Sequence, residues 1–202
     1  MWALVTDNTI TKIINNPKGM VIDNIQYSRN IFSFRWSKEE REAIGLYEVV
    51  FDNTNKKEEA YYNNTNQSFA FAGGVVTASF GSATAKSLTD TLFTAQDEID
   101  GKGTEGEVAR KGLKTQHKEI IKSQASGLLA PTDWYVVKAT EVESYSVPSA
   151  VTTFRANVRT KSNTMETAID NAANVDALAA LYVYNDENPP TRPLGAWPVL
   201  EV

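Results

Sequence analysis

The 202-residue sequence contains no cysteine and a single histidine. Without cysteine there is no disulfide, no thiolate metal site and no cysteine nucleophile. His117 is therefore the only imidazole, set between Gln116 and Lys118 in a lysine-rich stretch. It has no second histidine with which to share a metal ion, and no G-x-S-x-G nucleophile elbow occurs in the chain. It reads as a partly buried or capping side chain rather than a catalytic base.

Charge of one sign is lacking too. Twenty basic and 25 acidic side chains leave a formal net charge of −5, spread along the chain with no basic stripe to track a phosphate backbone. No apolar run approaches the roughly 20 residues that a membrane-crossing helix needs. The opening, Met1 to Asp7, has neither the basic region nor the long apolar core of a secretory signal. These absences predict no nucleic-acid partner and no membrane partner. The N-x-S/T triplets at Asn63 and Asn66 then say only that this stretch is polar and turn-like.

What is present is ordinary for a globular chain, with 42% hydrophobic and 22% charged residues and length enough for one or two cores. Several motifs imitate chemistry. Gly101-Lys102-Gly103-Thr104-Glu105-Gly106 contains G-x-G-x-x-G, but a helix-like segment precedes it where a dinucleotide site needs a strand, so it reads as a linker. Asp97, Glu98 and Asp100, like Glu58 and Glu59, could pair as acid and base in glycoside cleavage, yet they sit in solvated, polar contexts. The first cluster also lacks the ligand spacing of a calcium loop. Tyr61, Tyr62, Phe69, Phe71, Trp134, Tyr135 and Trp197 could form a stacking platform, although alternation of Phe69 and Phe71 along a strand points to packing. The sequence thus predicts no catalytic, cofactor-binding or metal-binding residue.

Three regions are expected in an α+β arrangement. Residues 1–82 form a β-rich domain with strands at Ala3–Val5, Ile10–Ile14, Met20–Ile22, Ile31–Arg35, Leu46–Phe51, Glu59–Tyr62, Ser68–Ala72 and Val75–Phe80. Gly73-Gly74 is a two-residue hairpin signal. Residues 83–183 form an antiparallel helical domain. Its first helix carries Leu88, Leu92, Ala95 and Ile99, and its second carries Val108, Leu113, Ile120, Ile121, Ala125 and Leu128. A third helix has Pro148 in its first turn and a stripe of Val151, Phe154, Val158, Met165 and Ile169, and Asn174 restarts a short terminal helix. Residues 184–202 hold four of the seven prolines and read as an extended arm. Its apolar end, with Leu194, Trp197, Val199 and Leu200, is expected to dock on its own domain or on a neighbouring subunit.

The most informative segment is Phe34-Arg35-Trp36-Ser37-Lys38-Glu39-Glu40-Arg41-Glu42-Ala43-Ile44-Gly45-Leu46-Tyr47-Glu48-Val49. Ser37 and Glu40 have the spacing of a capping box, and Gly45 can end the resulting short helix in a left-handed conformation. With its neighbour Trp36 the segment builds a fold and offers no reaction. A second anchor is Leu129-Ala130-Pro131-Thr132-Asp133-Trp134, followed by Phe154-Arg155-Ala156-Asn157-Val158-Arg159. Together they resemble the F-x-W-S-x-E-E-R-x-x-I-G and L-x-x-T-D-W … Y-R-x-x-L-R patterns of tailed-phage tail proteins, the small tail-fibre assembly or tail assembly chaperone-like family. Lys138 stands where the family often has arginine, and Phe154 replaces its usual tyrosine. Trp134 is expected to pack between helices.

The resemblance implies a non-enzymatic tail component that links or attaches tail-fibre parts through oligomeric contacts. Its partners would be other tail or tail-fibre proteins and further copies of itself. It would reside in the virion tail, and in the host cytoplasm during assembly. Two alternatives stand beside it: an assembly chaperone that leaves the finished particle, and a carbohydrate-binding tail module.

Overall fold

The computed structural model describes residues 1–201 and combines strands and helices in an α+β chain. It divides into two compact units, Met1–Thr84 and Ala85–Val202.

The first unit contains β1 (Trp2–Thr6), β2 (Thr9–Ile14), β3 (Met20–Ile22), β4 (Ile25–Tyr27), α1 (Lys38–Ala43), β5 (Leu46–Asp52), β6 (Tyr62–Asn63), β7 (Ser68–Ala72) and β8 (Val75–Ser79). Five strands make a mixed sheet in the order β2-β1-β5-β8-β7, in which only β5 and β8 are parallel. The sheet curls until its two edge strands, β2 and β7, approach each other. A bulge opposite Leu4 and Val5 puts Ile10 and Ile13, three residues apart, on the same face. There they pack with Ala3, Val5, Tyr47, Val49, Phe69, Phe71, Val76 and Ala78. The opposite face presents Trp2, Leu4, Ile14 and Leu46 to the β3–β4 hairpin and the capped helix. The β1–β2 and β3–β4 hairpins turn on Asp-Asn pairs with positive φ, Asp7-Asn8 and Asp23-Asn24, as a type I′ turn requires, and β7–β8 turns on Gly73-Gly74.

The capping box is formed. Ser37 accepts from the Glu40 backbone N–H at 3.1 Å, and Glu40 accepts from the Ser37 N–H at 2.7 Å. Gly45 then ends the helix at φ +75°, and a Cβ there would lie 2.4 Å from the Val5 carbonyl oxygen. The Val5 N–H donates to the Gly45 carbonyl at 2.8 Å, so the turn is sewn directly to β1. Trp36 packs edge-on against Tyr27 with ring centroids 5.8 Å apart, half-buried beneath this corner.

Two expected strands are corrected. Ile31–Arg35 is a 3-10 turn over Arg29–Phe32 followed by loop, because Ser28 caps the turn and Ile31 alone is buried. At Glu59–Tyr62 the Tyr61 and Tyr62 N–H groups both donate to the Glu58 carbonyl, so the chain turns and only Tyr62–Asn63 is extended. β9 (Thr84–Ala85) leads into the second unit.

The second unit contains β10 (Thr91–Leu92), α2 (Ala95–Ile99), β11 (Val108–Arg110), α3 (Leu113–Leu129), α4 (Asp133–Glu141), α5 (Ser149–Asp170) and α6 (Val175–Ala180). The expected helix through Leu88 to Ile99 is wrong in its first half. Leu92 pairs with Val108 in a two-stranded ladder, and α2 starts only where Thr94 and Asp97 form a capping box. Local caps and pairing outweighed a weak apolar period here. Val108, expected in the second helix, is accordingly in β11. Pro148 is the residue capping α5 rather than a member of its first turn, since its ψ of 138° is extended.

The core of this unit is the α3–α5 seam. Lys118 meets Asp170, Lys122 meets Glu166, and the Leu129 carbonyl meets Arg155, so the helices run antiparallel. Val151, Phe154, Val158, Met165 and Ile169 are all buried along α5, spaced by three, four, seven and four residues as one helical face demands. Asn174 caps α6 by accepting from the Ala177 N–H at 2.8 Å.

Candidate functional site

Thr132, Asp133 and Arg155 come together at the corner between α3, α4 and α5. The Arg155 guanidinium donates from Nη1 to Asp133 Oδ1 at 2.7 Å, to Thr132 Oγ1 at 2.6 Å and to the Leu129 carbonyl at 3.1 Å. Thr132 in turn donates its hydroxyl to the same Leu129 carbonyl at 2.7 Å. Carbonyls at the end of a helix have no intrahelical donor, and Arg155 supplies one here. Its side chain is 11% exposed while that of Asp133 is 59% exposed. The guanidinium is thus the desolvated member of a one-sided ion pair. Phe154 beside it is buried with Ala125 and Val158.

Trp134 departs from expectation. It does not pack between helices; it is 51% exposed, stacked on Tyr135 with ring centroids 3.8 Å apart. The reason is the clamp itself: α4 is held by Thr132 and Asp133 at its first turn, and none of its nine residues is buried. Val136 and Val137 are exposed as well. The corner therefore has two parts, a clamp in which Arg155 and Thr132 are buried, and a helix that exposes Trp134, Val136 and Val137 while Tyr135 and Ala139 are half-buried. The spacing of Asp133 and Arg155 along the chain gave no hint of their ion pair, and consecutive apolar residues at 134–137 gave no helical period to read.

The arm docks on its own unit. Asn185 closes its first loop through hydrogen bonds with Thr191 from both backbone and side chain. The Leu194 N–H donates to the Leu181 carbonyl at 3.0 Å, and the Leu194 side chain is 2% exposed. Trp197 donates its indole N–H to Gln124 Oε1 at 3.0 Å, and with Leu200 it covers Ala125, Phe154 and Val158. Val199 is the exception at 81% exposed, facing outward between Trp197 and Leu200, which both pack on the helices.

Two further polar groups have defined partners. His117 is half-buried with Nδ1 2.7 Å from the Tyr182 hydroxyl, and burial pushes its pKa below the ordinary value. Thr94 and Lys102 hold the Asp97 carboxyl at a pKa of about 2, first through the Thr94 backbone N–H, then its hydroxyl, then the Lys102 ammonium. Among the described residues, no group of three or more His, Asp or Glu could hold a metal ion. No helix among them is long and apolar enough to cross a membrane. Shallow grooves remain, one of 440 Å³ beside the clamp with Lys122, Ser126 and Arg159 in its wall, and one of 380 Å³ in the first unit over Trp2, Leu46 and Val50.

Compared with models of known protein families, with curated proteins and with solved structures, the chain has no match.

Proposed function

We propose that the chain is a non-enzymatic structural protein of a phage tail, a β-rich unit joined to an antiparallel helical unit that links tail or tail-fibre components in an oligomer. The observation that carries this reading is the convergence of Thr132, Asp133 and Arg155, three of the residues by which the sequence resembles the tail family. They meet in a salt-bridged corner that fixes one helix in place, which is what a scaffold needs. Ser37, Glu40 and Gly45, the other resembling residues, likewise fix a backbone turn. Motif residues spent on positioning, with an apolar helix displayed beside them, fit assembly better than turnover of a substrate.

Mass spectrometry of purified, salt-washed virions tests the proposal. The chain is expected at a constant multiple of the tail's symmetry. Its absence from particles, with abundant protein in the infected-cell lysate, would replace the structural reading with that of an assembly chaperone.

A further inference from the structure

The clamp uses only one nitrogen of Arg155. Its contacts with Leu129, Thr132 and Asp133 are all made by Nη1. Nε and Nη2, whose N–H bonds lie side by side in a guanidinium, donate to no group among the described residues. Among those residues no buried side-chain nitrogen or oxygen lacks a partner, so this edge opens on the 440 Å³ groove that Arg155 lines. An arginine only 9% exposed thus keeps a two-donor fork free at a cavity wall.

The groove follows the α3–α5 seam. Arg155, Arg159 and Ser162 stand at i, i+4 and i+7 along α5, and Lys122, Ser126 and Leu129 at the same intervals along α3, so each trio shares one helix face. Arg159 is exposed and makes no hydrogen bond, ion pair or ring contact among the described residues. Two arginines one turn apart repel, and no carboxylate there pairs with the second. The acids nearby are engaged. Asp133, in the groove wall, takes Nη1 of Arg155, and Glu166 is held by Lys122 at 3.4 Å and by the Ser162 hydroxyl at 3.1 Å. Lys122, Arg155 and Arg159 therefore outnumber Asp133 and Glu166, a positive site on a chain of net charge −5.

We infer that the groove binds a small molecule through its carboxylate or phosphate, the oxyanion taking the Nε–Nη2 edge of Arg155 side-on, with Arg159 and Lys122 adding charge and Ser126 a hydroxyl. A planar fork matches the oxygen spacing of such a group, which a lysine cannot do. The volume suits one small ligand, since sites of that kind begin at about 300 Å³. The inference goes beyond the structural role proposed above and holds whether or not the chain is found in virions.

Arginine side-chain NMR of the isotope-labelled full chain tests it, because Nε–H resonances report the two guanidinium groups directly. The chain is titrated with inorganic phosphate, with glucuronate and with uncharged glucose at a constant ionic strength of about 0.15 M. Phosphate or glucuronate is expected to move the Arg155 and Arg159 signals along a saturable curve, with a Kd of about 1 mM or tighter, and glucose to leave them in place. Saturation by phosphate alone assigns a phosphate ligand, and by glucuronate alone a carboxylate. Arg159→Ala is expected to weaken binding about tenfold or more, the effect of losing one hydrogen bond between charged groups. Lys18→Ala, which removes an exposed cation of the first unit, is expected to leave binding unchanged. Arg155 itself is spared because it holds the corner, and the backbone amide spectrum checks that each variant is folded. No saturable shift below about 10 mM with either anion overturns the inference. Unaltered binding by Arg159→Ala, or an equal loss in Lys18→Ala, overturns it too.

Discussion

Replacing Arg155 with methionine isolates the clamp from its packing. Methionine keeps an unbranched apolar stem of similar reach, so the burial of a residue only 9% exposed is largely retained. What is lost is the 2.7 Å pair with Asp133, the 2.6 Å bond to Thr132 Oγ1 and the 3.1 Å bond to the Leu129 carbonyl. These are not equal. The Leu129 carbonyl keeps the Thr132 hydroxyl as donor, and Asp133, already 59% exposed, recovers water. The charge-assisted bond then counts at its lower bound of about 1.5 kcal/mol and the Thr132 acceptor at about 1 kcal/mol, for a net loss of about 2–3 kcal/mol. Because α3 to α6 hold the long helices, circular dichroism at the helical band during urea titration reports this unit. With a slope of about 1–2 kcal/mol per molar, the midpoint is expected to fall by about 1–3 M. A fall below about 0.3 M would refute the claim that the corner is held by Arg155. Asp133→Asn, which keeps an acceptor oxygen but no charge, is expected to fall by less than Arg155→Met.

Gly45→Ala places a Cβ 2.4 Å from the Val5 carbonyl at φ +75°, whereas Gly73→Ala at φ +57° meets nothing within 4 Å. The first is therefore expected to cost more than the roughly 1–2 kcal/mol of a left-handed backbone alone and the second no more than that, compared by thermal unfolding; equal costs would remove the contact from the argument. Leu194→Ala, at a site 2% exposed, is expected to cost about 2–5 kcal/mol and to make the arm cleavable under limited proteolysis, which an undisturbed digestion pattern would contradict. The Asp97 carboxyl, held at about 2 against an ordinary 3.8, contributes stability above pH 3.8 that is lost as pH falls through 2. Carboxyl carbon NMR is expected to find its midpoint near 2, and a midpoint near 3.8 would mean that the Thr94 cap is not formed in solution.

Much of the local structure was legible. Ser37 and Glu40 announce their helix because a capping box is satisfied by residues three apart, with no help from the rest of the chain. Gly73-Gly74 marks its turn for the same reason, glycine being the residue that positive φ favours. The α5 stripe was legible because 22 residues carry enough repeats of the helical period to stand out. Short segments failed. Leu88 to Ile99 offered four apolar residues in helical register, yet the Thr94–Asp97 cap and the ladder between Leu92 and Val108 divided them. β4 passed unnoticed, although its partner β3, equally short, was expected.

By itself, then, the sequence determined the α+β character, the capped turn at Ser37 to Gly45 and the apolar face of α5, all set by neighbours within one or two turns of chain. The tertiary structure alone decided that Arg155 ties Thr132 and Asp133, that Leu194 and Trp197 cover the chain's own helices while Val199 faces outward, and that Trp134 is displayed rather than buried. The physical reason is that ion pairs and burial depend on which surfaces meet. For residues 22 or 73 positions apart, that meeting is fixed by helix packing and not by any local pattern.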